Sequence, residues 1–284
     1  MIYDCHAHLV SDDFDRYPPS PLSGTLDRKL DDPMTAERLL REMDQNNIER
    51  AVVVQRAHVY GYNNEYVVDS AARYSDRLRA VVCVDPQAST GPERVRHWIK
   101  ECGAVGIRLT EPFKGADTGW LNSPEAIQTW QTAVELGASI CLHMYRWNRL
   151  ESLVALKQVM DKFPESVVVL DHLSNIIPEQ GAPDYGVDEP LLDLVQFPNV
   201  FLKLTTINLG RMASEKIDPQ PVIARTLQSF GAGRFMWGSD VAQSAGSYAD
   251  LIKMGVDATA FLSEKDRKQV LCDTTNRVYG GAKA

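Results

Sequence analysis

The 284-residue chain has six histidines, and four of them fall at or just beyond the ends of short apolar runs. His6 and His8 follow the run Ile2–Cys5, His143 ends Ser139–His143, and His172 follows Val167–Asp171. Asp240 comes shortly after a further run, Phe235–Trp237. Residues i and i+2 of a strand share a face, so the imidazoles of His6 and His8 converge if that face is interior. Imidazole nitrogen and carboxylate oxygen suit zinc, and also manganese or iron. Three protein ligands plus water make an open catalytic site, and the ion lowers the pKa of its water to ~7. Taken singly, each residue has a blander reading, since a strand-end histidine is often structural and an aspartate after a loop often caps a helix. Their shared placement at one end of several strands is what points to chemistry. His97 lies on a mostly polar helical face and reads as surface, while His58 lies a few residues past a strand and could reach a site's rim.

The elements that must position these residues alternate along the chain. Eight apolar runs occur: Ile2–Cys5, Ala51–Gln55, Ala80–Val84, Val105–Leu109, Ser139–His143, Val167–Asp171, Val200–Leu204 and Phe235–Trp237. Most are rich in Val, Ile and Leu without strict alternation, as in parallel strands buried on both faces. Helical periodicity lies between them. Ala36, Leu39, Leu40 and Met43 follow a Thr35 cap with Arg38 at N3, and Val67, Ala71 and Tyr74, then Val95, Trp98 and Cys102, repeat the theme. Further helices are expected over Pro124–Leu136, Leu150–Phe163, Glu189–Gln196, Pro219–Phe230 and Tyr248–Leu262, with Glu264–Cys272 outside the repeat. Eight βα units and a length near the typical ~250 residues predict an α/β fold, one (β/α)8 or TIM barrel over residues 1–284. An open doubly wound sheet fits less well, because Cys5-His6-Ala7-His8 stands where a glycine-rich phosphate loop would follow the first strand. Two loops, Asp12–Pro33 and Ile176–Gly186, follow strands one and six and are candidate walls or lids of a site at the strand C-terminal ends.

Composition narrows the partners. The formal net charge is −8 with no run of one sign, so nucleic acid and anionic membrane are not expected. No stretch approaches the ~18 apolar residues of a membrane span, and Asp4 and His6 fall where a targeting core would lie. Five scattered cysteines, three of them in apolar runs, suit a reduced, cytoplasmic protein. A homo-oligomer is left open.

Asp4-Cys5-His6-Ala7-His8, His143, Asp171-His172 and Trp237-Gly238-Ser239-Asp240 together resemble the amidohydrolase superfamily in its amidohydrolase-2 branch of lactonases and decarboxylases. Gly106-Ile107-Arg108-Leu109, Lys203-Leu204-Thr205, and Gln55 with Tyr60-Gly61 and Asn63-Asn64 are similar to segments of the lactonase subgroup, which takes pyrone-dicarboxylate, sugar-acid and sulfomuconolactone substrates. The resemblance runs from residue 2 to about residue 279. It implies a barrel hydrolase that opens a small acidic lactone. One divalent metal, zinc first and manganese as the alternative, is expected on His6, His8, His143 and Asp240, since strand four offers Arg108 in place of a residue that bridges two metals. Operation without metal is the remaining alternative. Asp240 and His172 are the implied catalytic pair, Asp240 as the base that takes a proton from water and His172 as stabiliser of charge on the carbonyl oxygen. Arg108, Arg146, Arg211, Lys203 and Tyr145 are the candidates for binding the acidic group and substrate oxygens. Two other functions compete: non-oxidative decarboxylation of an aromatic or enoic acid, and a non-catalytic barrel that only binds metal or ligand.

Overall fold

In a computed structural model, described over residues 1–26 and 30–280, eight parallel strands follow one another around a barrel in chain order. They are β1 (Ile2–Ala7), β2 (Ile48–Val54), β3 (Leu78–Cys83), β4 (Gly106–Thr110), β5 (Ser139–His143), β6 (Val168–Leu170), β7 (Val200–Thr205) and β8 (Phe235–Gly238). Each expected run contains a strand, so the (β/α)8 architecture stands. Residues 27–29 of the loop expected over 12–33 lie outside the described residues, and the rest of that loop holds turns and bends.

The helices pack outside the strands. Ala36–Gln45 begins at Thr35, whose hydroxyl accepts from Arg38 N at 3.2 Å, a side-chain cap on an otherwise orphaned amide. The segment expected as one helix over Glu189–Gln196 is α-helical only to Leu192 and then tightens into a 3-10 turn. A helix over Thr206–Ser214 was not anticipated. Among the described residues two main apolar cores result, beside a small cluster of Val10, Tyr17, Val59 and Tyr60. The larger lies between strands and helices, and the smaller fills the barrel with Tyr3, Cys5, Val54, Val81, Cys141, Val169 and Met236. All five cysteines are free, Cys5 and Cys141 lying in that smaller core and Cys83 buried with its thiol toward the Gln55 carbonyl.

The barrel's last seam, between β8 and β1, is joined differently from the others. A single bridge, Ala7 to Val241, replaces a ladder. The buried Asp4 carboxylate supplies most of what is missing. Its Oδ1 accepts from the amides of His6 (3.0 Å) and Ser239 (2.9 Å), and its Oδ2 from the hydroxyls of Ser239 (2.5 Å) and Tyr248 (2.9 Å). Even so, burial keeps the Asp4 pKa above the usual carboxylate value. Gly238 permits the close approach, because a Cβ there would lie 2.5 Å from His6 Cβ. Among the described residues no helix is long and apolar enough to cross a membrane.

Candidate active site

Between Asp4 and Ala7 the pairing of β1 with β2 slips by one residue. Such a bulge turns a side chain that would otherwise face away. Cys5 stays among the interior apolar side chains, and His6 is brought in beside them with His8. Their Nε2 atoms are 3.2 Å apart. Asp240, just past β8, completes the group, its Oδ1 lying 3.1 Å from His8 Nε2 and 3.4 Å from His6 Nε2. All three residues are buried. A tetrahedral ion with ~2.0 Å bonds to such ligands separates them by roughly 3.3 Å, so the triangle suits one divalent cation. Asp240 Oδ1 is buried with no aligned hydrogen-bond partner, as an atom awaiting a cation would be. A looser set, His6, His172 and Asp240, keeps its ligand atoms within 4.8 Å of one another. The tighter triangle is the better fit, with His172 bordering it.

The partner of each Nδ1 fixes what the other ring nitrogen can do. His8 Nδ1 meets the Val54 carbonyl at 2.7 Å, an acceptor, so its Nε2 carries a lone pair. His172 Nδ1 meets Thr205 Oγ1 at 2.7 Å, and that hydroxyl donates to Asn208 Oδ1 at 3.3 Å, which again leaves the lone pair on Nε2. His6 Nδ1 lies between Asp171 Oδ1 (3.3 Å) and Lys203 Nζ (3.2 Å). Burial lowers the pKa of His172 to about 4 against the pull of Asp171 and Asp240, and burial and Lys203 hold His6 well below its ordinary value. Asp240 is drawn down to about 2, because His8, His6 and His172 outweigh the burial that would raise it. It is a carboxylate at neutral pH.

His172 sits in an uncommon backbone. His172, Leu173, Ser174 and Asn175 have φ of 51°, 50°, 53° and 51°, a left-handed turn without glycine, and Asp240 (φ 52°) shares that region. Side chains hold the turn. Asn208 Nδ2 donates to the His172 carbonyl (2.8 Å), Arg149 Nε to the Ser174 carbonyl (2.8 Å), and Asn175 Nδ2 to the Met144 carbonyl (2.5 Å). Arg149 is itself clamped by both oxygens of Asp188.

Beneath the histidines lies a buried charge cluster. Asp171 receives Arg108 Nε (2.8 Å), Lys203 Nζ (3.1 Å) and the Cys141 thiol (3.0 Å). Burial alone would raise the Asp171 pKa, but Lys203 and Arg108 hold it well below the usual range. Lys203, expected to bind substrate, is fully buried under His6 with its Nζ 5.7 Å from the Tyr279 ring centre. Its place is in the layer below the site rather than on a wall.

The walls belong to others. Arg108, Thr110, His143 and Tyr145 line a cavity of about 210 Å³ with His58 and Phe113. His58 thus reaches the rim, and His97 is a surface residue paired with Glu101. His143 is half-buried, stacked on Tyr145 at 4.6 Å and 5.1 Å from the His172 ring. Expected as a metal ligand, it lies outside both the His6–His8–Asp240 triangle and the looser His6–His172–Asp240 group, with Arg108 Nη2 2.9 Å from its Nδ1. Burial and Arg108 keep it neutral, well below its ordinary pKa. Arg146 is exposed and paired through both nitrogens with Glu179 (2.9 and 3.0 Å) in the loop after β6, and Arg211 donates to Asn175 (3.1 Å). A larger groove of about 840 Å³ beside Trp147, Leu150 and Val154 contains none of the histidines or arginines discussed here.

Sequence patterns assign no role to Asp4, Thr205, Asn208 or Arg149, and Asp171 enters only as a neighbour of His172. The signal for Asp4 was its place two residues before His6 in a strand otherwise apolar.

The chain is similar to known proteins. The chain is 28% identical over 98% of its length, and 88% of the relative's, to 4-sulfomuconolactone hydrolase of Hydrogenophaga intermedia. It is 26% identical to L-fucono-1,5-lactonase of Burkholderia ambifaria, over 77% of this chain and 73% of that one. A crystal structure of a probable 2-pyrone-4,6-dicarboxylic acid hydrolase from Acinetobacter baumannii, with citric acid bound, matches the fold with a TM-score of 0.74 at 21% identity over 99% of both chains. A model of the amidohydrolase family matches residues 3–281, and the chain belongs to that family.

Proposed function

We propose that this amidohydrolase opens the ester bond of a small acidic lactone. The observation that carries the reading is the triangle of His6, His8 and Asp240, with a buried carboxylate oxygen left without an aligned partner beside a cavity lined by Arg108, His143 and Tyr145. The 4-sulfomuconolactone hydrolase and L-fucono-1,5-lactonase relatives support lactone chemistry, and Arg108 on the cavity wall favours an anionic substrate.

His6, His8 and Asp240 would hold one divalent ion, zinc being the best match to two imidazoles and a carboxylate, and it would supply Lewis-acid polarisation. The protein's own groups do the rest. Asp240, ionised at neutral pH, takes a proton from the attacking water as its oxygen adds to the carbonyl carbon. The ring C–O bond then breaks, and the same proton passes to the leaving alkoxide. His172, neutral and fixed by Thr205, offers a lone pair at the edge of this centre. Tyr145 and Arg211 bind substrate oxygens. Arg146 joins them when the acidic group displaces Glu179. The five free thiols favour a reducing, cytoplasmic setting.

The test is proton release in weak buffer with sulfonated muconolactone, sugar-acid lactones and pyrone carboxylates. Acidification that depends on the enzyme is expected for at least one of them. Silence across the panel, with carbon dioxide released from an aromatic acid, would replace lactone hydrolysis by decarboxylation.

A further inference from the structure

His143 differs from the other histidines of the site in one respect that decides its chemistry. His8 and His172 have acceptors at Nδ1, a carbonyl and a hydroxyl, and so present lone pairs at Nε2. At His143 the partner of Nδ1 is Arg108 Nη2, 2.9 Å away, and a guanidinium has donors only. The Nδ1 of His143 must accept, and in a neutral ring the proton then sits on Nε2. Asp171 makes the arrangement rigid by taking Arg108 Nε at 2.8 Å, so an Asp171–Arg108–His143 chain sets the tautomer. Among the described residues no hydrogen bond reaches His143 Nε2. The ring is stacked on Tyr145, lines the cavity and stands 5.1 Å from His172.

We propose that His143 is a fixed N–H donor to the carbonyl oxygen of the substrate, and not a ligand of the metal. The inference rests on the lactonase reading for its substrate and deepens it. A donor already aimed at an oxygen that gains charge in the transition state acts on kcat more than on KM, by about 10²- to 10³-fold.

Two substitutions separate the roles. The amide nitrogen of glutamine overlies histidine Nε2, so His143→Gln keeps a donor in place but is a poor metal ligand. The shorter His143→Asn keeps neither. The expected result is that both variants retain as much zinc as the unaltered protein after dialysis, while His6→Gln loses it. In the lactone assay, His143→Gln keeps kcat within about 10-fold and His143→Asn loses about 10²-fold with KM little changed. Zinc loss in both His143 variants to the level of His6→Gln would overturn the proposal. Nitrogen-15 NMR of the unaltered protein tests the tautomer without any substrate or metal. The proposal requires a protonated Nε2 and bare Nδ1 at His143, and a proton on Nδ1 would overturn it. If no lactone is turned over, or the protein binds no metal, the function proposed above fails while the tautomer still answers this question.

Discussion

The Ser239 hydroxyl donates to Asp4 Oδ2 across 2.5 Å and so ties the strand that ends the barrel to the strand that begins it. The two residues flank the His6–His8–Asp240 triangle, Asp4 two residues before His6 and Ser239 directly before Asp240.

Removing this tie should cost both stability and metal. Asp4→Ala leaves two amides and two hydroxyls without their shared acceptor, each worth about 1–3 kcal/mol when buried. Asp4→Asn keeps one carbonyl acceptor and should fall between. Denaturant unfolding should rank the proteins in that order, with zinc affinity falling about 10- to 100-fold as the ligand triangle loosens. An Asp4→Ala protein as stable as the parent would show that the seam does not depend on the carboxylate.

Asp240→Asn keeps the side chain's shape and removes its basicity. A fall in kcat of about 10²–10⁴ is expected with the fold retained by circular dichroism. Turnover near that of the parent would remove Asp240 from the role of base.

The buried histidines make the metal-free protein sensitive to acid. His172 binds a proton only near pH 4 in the folded chain but near 6.5 when unfolded, and His6 and His143 are displaced in the same direction. In that window the unfolded chain holds more protons, so stability is complete above about pH 6.5 and is lost as pH falls toward 4. His172 alone contributes up to about 3 kcal/mol to this loss. Thermal unfolding of chelator-treated protein between pH 7 and 4 measures it, and His172→Gln should flatten the curve. An unchanged slope in that variant would mean that His172 does not carry the effect.

The left-handed turn offers a stabilising change. A non-glycine residue there costs about 1–2 kcal/mol, and glycine gives back about 0.5–1 through its freer unfolded chain. Ser174, small and buried, makes only a weak contact with Met144 Sδ at 3.6 Å. Ser174→Gly should therefore raise the melting temperature by about 1–3 °C, and Ser174→Val should lower it. A drop in the glycine variant would mean that the turn is not strained at this position.

How much of this was legible depended on whether the feature leaves a local trace. His6, His8 and Asp240 were readable because strand ends, once placed, fix which end of a barrel a residue occupies. Lys203 was readable as inward but not as deep. Strand alternation gives the face, while depth depends on the tilt and neighbours of β7, which bring its ammonium to Asp171 below His6. The turn at 172–175 left no trace at all, since Leu173 and Ser174 are not residues that choose a left-handed backbone, and its supports at Asn208 and Arg149 come from distant segments. The helix over Thr206–Ser214 was hidden by β-branched residues and Gly210, although Asn208, three residues past Thr205, accepts the Thr205 amide as a cap would. His143 was assigned from its place at a strand end and from the resemblance, while its Nδ1 partner, Arg108 of β4, left no local trace.

The seam between β8 and β1 has a consequence for how the protein is made. His6 and His8 leave the ribosome long before Asp240, and β1 stays without one of its neighbours until β8 arrives. Through most of synthesis the two imidazoles lack the Asp240 carboxylate that completes their triangle. The triangle and the closed barrel are therefore completed in the same late step, and a chain stalled before Ser239 and Asp240 would be an open sheet with buried apolar faces uncovered, a natural substrate for chaperones and proteases.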